Sequence, residues 1–230
     1  MKKIWNHLKD DWFKYLAEIG VVVLSILLAF ALNEWSQDRN EKEDLKETYR
    51  LIAEEIKWDL AQVNTSIANL EKAQPYFDKL IAGTMTETAY QACKFCPTLS
   101  TSRYPIKSSY NGWKNLTKKP HFQISRKDTL NYILDDYYYD LNVRAAKEMQ
   151  ILGDDIMENT SYFKFNEPNY HKLASDPQAM MKFHLESPVY RNMLSVRRHS
   201  LYDRYLITLK GLKKDADKAL EMISRKYPLD

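Results

Sequence analysis

Glycine is almost missing from this chain: there are five in 230 residues. Turn-rich β folds use many more, and 28% of the residues are charged, so the composition favours long helices. No proline precedes Pro75, so nothing forces a helix to break in the first third of the sequence. Cysteine is confined to Cys93 and Cys96. A zinc site would need a second pair or two closely spaced histidines, and His121, His171, His184 and His199 are dispersed. No P-loop, Gly-rich dinucleotide turn, GxSxG elbow or HExxH occurs. The net charge of +3 is too small to imply nucleic acid. No catalytic, cofactor-binding or metal-binding residue can be nominated, and the chain reads as a non-enzyme without a cofactor.

What is present is an apolar run at residues 15–32, 18 residues broken only by Glu18 and Ser25. As a helix it is about 27 Å long, close to the ~30 Å hydrocarbon core of a bilayer. The leading reading is a transmembrane helix over 15–35. Two alternatives stand beside it. Ala29-Phe30-Ala31 has the form of a signal-peptide cleavage site, although the run is longer than a usual signal core. The run could instead be a buried core helix, unusual for a segment apolar all round in a chain of this size. Lys2, Lys3, Lys9 and Lys14 precede it, whereas residues 34–59 hold nine acidic and five basic side chains. This charge bias places residues 1–14 in the cytoplasm and the body outside, in a bacterial periplasm. Trp5, Trp12, Tyr15 and Trp35 bracket the run as an interfacial aromatic belt would.

Beyond Trp35 the apolar residues Leu45, Tyr49, Ile52, Ile56, Leu60, Val63, Ile67 and Leu70 draw a stripe along one helical face. The pattern predicts one helix from about residue 11 to beyond 72, about 90 Å long and clear of the bilayer. Pro75 should kink or end it, and Gly83 offers a stop. Residues 84–125 are least regular, with short helices expected near 87–96 and 109–116. Ser125 and Asp128 form a helix-start pair, and a helix should run over 126–158 with Leu130, Ile133, Leu134, Tyr137, Leu141, Ile151 and Ile156 inward. A loop is expected over 159–175. Asp176-Pro177 and Ser187-Pro188 read as cap-then-proline starts, the second opening a long helix over 188–226. The fold class is therefore all-α. Long helices at about 36–82, 126–158 and 188–226 should pack as an elongated antiparallel bundle forming an extramembrane body over 36–230.

The stretch EIGVVVLSILLAFALNEW, residues 18–35, resembles the start of a family of single-span bacterial membrane proteins found in Bacteroidota and Proteobacteria. That start reads E-I-x-x-V-V-x-G-I-L-I-A-L-x-x-N-x-W. Glu18, Ile19, Ala29, Asn33 and Trp35 fall on it without a gap, and Ser25 stands where the family has Gly. Residues 108–138 are similar to the family's later segment, an aromatic-bearing short helix, a turn and a Leu-rich helix ending in paired Tyr. Lys118-Lys119-Pro120 replaces its usual Ser-Gly turn. The resemblance implies a membrane location and a helical architecture, and no reaction.

Within the run, Glu18, Val22, Ser25 and Ala29 fall within about 60° of one another, and Asn33 continues the face. Ser25-x-x-x-Ala29 is a small-residue spacing that lets two helices approach closely. One reading is a packing face for a second copy of the chain, giving a homo-oligomer. Another is that Glu18 marks the membrane boundary and Ser25 is incidental; a third, ion or proton conduction, has a single carboxylate behind it. Cys93 and Cys96 can form a local disulfide in an oxidising compartment or remain as buried thiols. Arg191, Arg197, Arg198 and Arg204 give the last helix a basic side, for a partner or for an acidic neighbouring helix. Asp135, Asp136, Asp140, Asp154 and Asp155 fit a solvated helix face.

The expected function is a membrane-anchored helical scaffold or interaction protein with the lipid bilayer and its own copies as partners. The alternatives are an oligomeric membrane effector that perturbs the bilayer, and a periplasmic ligand-binding or enzymatic domain with a pocket at Tyr137–Tyr139 and Asp135 or Asp136.

Overall fold

Helices begin, stop and widen in this chain where its caps, glycines and seams dictate. The computed structural model describes residues 12–119, 128–167 and 170–228. No strand occurs among them. The chain divides into two units, Met1–Thr48 and Tyr49–Asp230.

The described part of the first unit is helical throughout, the opening stretch of α1 (Trp12–Ile81). Every large apolar side chain from Trp12 to Trp35 is exposed.

The second unit is a helical bundle. Residues 49–81 of α1 bury a seam at Tyr49, Ile52, Ile56, Asp59, Val63 and Ser66, continuing through Leu70 to Leu80. The steps alternate three and four, the 3.5-residue period of coiled-coil packing. The stripe expected from sequence placed Leu60 and Ile67 on this seam. Both are only half-buried, and their polar neighbours Asp59 and Ser66 take the inward positions. Pro75 lies inside α1 and does not end it. Gly83 ends it, with φ of 68°. The Gly83 amide donates to Leu80 O and the Thr84 amide to Lys79 O, the backbone pattern of a glycine stop.

The connection that follows runs back along α1. It holds α2 (Glu87–Gln91), capped by Thr86, a short 3-10 turn at Cys96–Thr98 and α3 (Asn111–Thr117). Midway, the Gln62 amide nitrogen donates to Lys107 O at 2.7 Å, and the Lys107 amide donates back to Gln62 Oε1 at 3.0 Å. The chain thereby returns to the end where Tyr49 lies before the next long helix begins. That helix comprises α4 (Thr129–Tyr139), a π-helical segment Asp140–Ala145, and α5 (Ala146–Asn166). Asp128 caps it by accepting from the Leu130 amide at 3.0 Å, while Ser125 lies outside the described residues.

α4 therefore runs parallel to α1, not antiparallel as expected. The Tyr49 hydroxyl donates to Asn131 Oδ1 at 2.7 Å, and further along both helices the Tyr137 hydroxyl donates to Asp59 Oδ2 at 2.9 Å. The long crossover permits this. The expected loop at 159–175 is also largely helical. No Gly or Pro interrupts residues 159–166, and Phe163 is buried edge-on against Phe183 at 5.6 Å. α6 (Tyr170–Ser175) and α7 (Pro177–Glu186) follow.

The last long helix is α8 (Pro188–Arg198), a second π segment His199–Tyr205, and α9 (Leu206–Lys226). Asp176 caps α7 and Ser187 caps α8, as expected, accepting from the Gln178 and Tyr190 amides at 2.9 and 3.2 Å. α8 and α9 run antiparallel to α1: Arg198 pairs with Asp78, Lys210 with Glu71, and Tyr227 stacks on Tyr49. The buried positions Arg197, Leu201, Tyr205 and Leu209 are separated by three successive steps of four. An α-helix would rotate them out of the interface. The wider π turn absorbs the extra residue and keeps the seam facing inward.

Gly112 sits where α3 meets α1. A Cβ there would lie 2.8 Å from Ile52 Cγ1 and 3.0 Å from the Ile52 amide nitrogen. Gly112→Ala should therefore cost about 1–3 kcal/mol in thermal unfolding of the full chain in mild detergent. Gly211→Ala, in open space within α9, should gain about 0.5–1 kcal/mol. Equal tolerance of the two would contradict this packing.

Candidate functional site

The apolar segment of the first unit is not covered by any of the described residues. Its best 18-residue window has a mean hydropathy of 2.4, with none of the window buried. α1 is thus one helix long and apolar enough to cross a membrane. Glu18, Val22, Ser25, Ala29 and Asn33 are all exposed. The Ser25 hydroxyl donates to Val21 O at 2.7 Å, so its proton is engaged within its own helix. What Ser25 offers a neighbouring helix is small size and acceptor lone pairs. At one end Trp12 meets Phe13 edge-on, with ring centroids 6.1 Å apart. At the other the Arg39 guanidinium lies 5.9 Å from the Trp35 ring centroid and 3.2 Å from Glu43. Trp5 lies outside the described residues.

A second candidate is the polar knot inside the second unit. Glu55 and Asp59 point inward from α1, with 7% and 0% exposure. Glu55 Oε1 accepts from Ser109 Oγ and the Asn111 amide, both at 2.9 Å, and Oε2 accepts from the Gly112 amide at 3.1 Å. Tyr110, the residue preceding α3, gives no side-chain cap, so a carboxylate from another helix caps α3. Asp59 Oδ2 accepts from Tyr137, while Oδ1 is buried with no partner among the described residues. Burial pushes the Asp59 carboxyl up to about 7, with the Tyr137 hydrogen bond opposing and the neighbouring Glu55 adding to the rise. Burial likewise pushes the Tyr137 and Tyr138 phenols above their ordinary range, helped by these carboxylates.

This knot does not make the pocket considered from sequence. Tyr137 and Tyr138 are buried against α1, whereas Tyr139, Asp135 and Asp136 are exposed. The carboxylates at 55 and 59 were the informative pair. For Asp59 the signal was the unbroken three-four spacing of the α1 seam, which passes through it once polar residues are allowed there; Glu55 lies off that seam and carried no such signal.

The four arginines do not form one basic face. Arg197 is 1% exposed. Its Nε donates to Leu99 O at 3.1 Å, its Nη1 to Leu152 O at 3.4 Å, and its Nη2 to Ser102 O. The guanidinium thus ties the returning connection to α5 through backbone carbonyls, and burial holds its pKa below the ordinary value. Arg191 donates to Leu185 O at 2.5 Å and covers Gly83. Arg198 and Arg204 pair with Asp78 and Glu148 at 2.6 and 3.0 Å.

Cys93 and Cys96 are joined as a disulfide with both residues buried. Nearby, His184 is buried and 2.6 Å from the Tyr90 hydroxyl through Nδ1, and burial lowers its pKa to about 4. Among the described residues, no three His, Cys, Asp or Glu side chains lie close enough together to hold a metal ion.

Asp59 and His184 act oppositely on stability. Asp59 binds its proton more tightly when folded, so its contribution is present below about 4 and lost as pH rises through about 7. His184 binds its proton less tightly when folded, so its contribution is present above 6.5 and lost as pH falls through about 4. The difference between Asp59→Asn and the parent chain isolates the first. Asp59→Asn should match the parent near pH 4 and exceed it at pH 8 by on the order of 1–3 kcal/mol in unfolding measurements. A difference that does not change with pH would contradict the burial of an ionisable carboxyl at this position.

Compared with models of protein families, with curated proteins and with solved structures, the chain matches none.

Proposed function

We propose that this protein is a single-pass, membrane-anchored helical scaffold or interaction protein. Residues 15–35 cross a bacterial inner membrane, the N-terminal segment faces the cytoplasm, and the helical second unit lies in the periplasm. One observation carries the reading: an 18-residue helical window of mean hydropathy 2.4 with none of it buried. In water such a surface drives association, and a bilayer of matching thickness removes that drive. The Lys-rich approach and acidic exit support the sidedness. The engaged disulfide is consistent with an oxidising compartment.

Self-association is part of the proposal. Glu18, Val22, Ser25, Ala29 and Asn33 share a face with the small side chains that close helix contact requires. The Ser25 hydroxyl is already satisfied within its helix, so close backbone packing supplies the attraction and an interhelical hydrogen bond is not needed.

Three measurements test this. The full chain should stay with the membrane pellet after alkaline carbonate extraction, and recovery in the supernatant would refute the anchor. A C-terminal alkaline phosphatase fusion should be active, and an inactive fusion alongside a fluorescent C-terminal green fluorescent protein would reverse the sidedness. In membranes, Ser25→Cys and Ala29→Cys should crosslink between copies faster than Leu24→Cys and Leu27→Cys. The opposite order would show that a different face packs.

A further inference from the structure

One cavity of about 530 Å³ opens in the second unit between α2, the disulfide loop and the α6–α7 segment. Its volume is in the range of small-molecule sites. Tyr90, Cys93 and Met181 form the inner wall and are nearly buried, Met180 is half-buried, and Gln91 and Gln178 stand exposed at the rim. Among the described residues that line it, none is charged.

The wall is held in place from behind. The Tyr90 hydroxyl is hydrogen-bonded to His184, and the His184 ring stacks on Tyr190 with centroids 3.9 Å apart and planes at 7°. Phe183, beside them, is braced edge-on by Phe163. The disulfide fixes Cys93 relative to Cys96, and Pro97 follows directly. A wall fixed before binding loses little freedom when a ligand arrives. The two methionines are the adaptable part, because unbranched thioethers reshape to fit a guest.

The lining also sets the chemistry of the guest. An ionised ligand would leave water for a cavity whose described lining offers no countercharge. An apolar body would be met by thioethers, a phenol ring and a disulfide sulfur, while the two rim carboxamides offer both donors and acceptors. We propose that this cavity is a binding site for a neutral, mainly apolar small molecule carrying one or two hydrogen-bonding groups. The site lies wholly in the second unit and does not depend on the membrane reading of residues 15–32.

Photolabelling the full chain in detergent micelles tests it. The probes are a trifluoromethyl aryl diazirine bearing a benzyl alcohol and the benzoate of the same skeleton, with labelled peptides mapped by mass spectrometry. Labelling of residues 15–32, set by the micelle, is the internal reference. The alcohol should label the Tyr90–Cys93 and Met180–Met181 segments saturably. Excess trifluoromethyl benzyl alcohol lacking the diazirine should compete. The benzoate should label those segments at least about tenfold less, because its charge stays unpaired. Met180→Trp should remove the labelling by filling the cavity, and Ala174→Trp at the exposed rim gives the same test without touching the buried wall. Labelling that does not saturate, that is equal for the benzoate, or that survives both substitutions would overturn the proposal.

Discussion

Ten Val, Ile, Leu and Phe side chains between Ile19 and Leu32 are each 48–68% exposed along one uninterrupted helix. Moving such a surface out of water is worth on the order of 10–20 kcal/mol. That is comparable to, or larger than, the ~5–15 kcal/mol net stability of an ordinary domain. No polar feature of the segment competes with it. The Arg39–Glu43 pair is solvent-exposed, and exposed pairs contribute about 1 kcal/mol at most. Whatever covers these residues is therefore the main determinant of where the molecule resides. A bilayer satisfies the demand along the whole run, and a second copy satisfies it along one face.

The second unit solves a different problem. Its α1 seam keeps a regular three-four spacing from Tyr49 to Leu80 but places Asp59 on it. A buried carboxyl is costly when charged, and here burial raises its pKa to about 7, so that the neutral form is favoured below that pH. Asp59 is matched by Tyr137, and the adjacent Glu55 by α3 and Tyr138. These contacts join the three elements that the crossover must bring together: α1, α3 and α4. Gly112 permits the closest of these approaches, since any side chain there would meet Ile52. Arg197 performs the corresponding task at the other end of the connection through three carbonyls. The polar groups of the interior thus lie where helices that are distant in sequence must register.

Much of the helical content was legible because it follows local rules. Gly83 terminates α1, and Asp176 and Ser187 cap α7 and α8 as their side-chain chemistry requires. The Cys93–Cys96 disulfide is one of the two states that their spacing left open. What escaped depends on distant partners. Arg197 reads as a surface cation until the carbonyls of Leu99, Ser102 and Leu152 are brought to it. The parallel course of α4 escaped because residues 84–125 have little periodicity to show that the chain doubles back. Leu60 and Ile67 drew the stripe off its true line, because a hydrophobic pattern selects them over the adjacent polar Asp59 and Ser66, which are the residues buried. The cavity beside the disulfide was equally hidden, since α2 and α7 are far apart in sequence and meet only in the fold.

A spin label at Leu24→Cys in the full chain reconstituted into vesicles, with Lys57→Cys as the reference, reports whether lipid surrounds the apolar run. In lipid, the label at residue 24 should be relaxed strongly by dissolved oxygen and hardly at all by a water-soluble nickel chelate. At residue 57, exposed on α1 in the second unit, the preference should be reversed. Nickel accessibility at residue 24 equal to that at residue 57 would place the segment in water and rule out a membrane span.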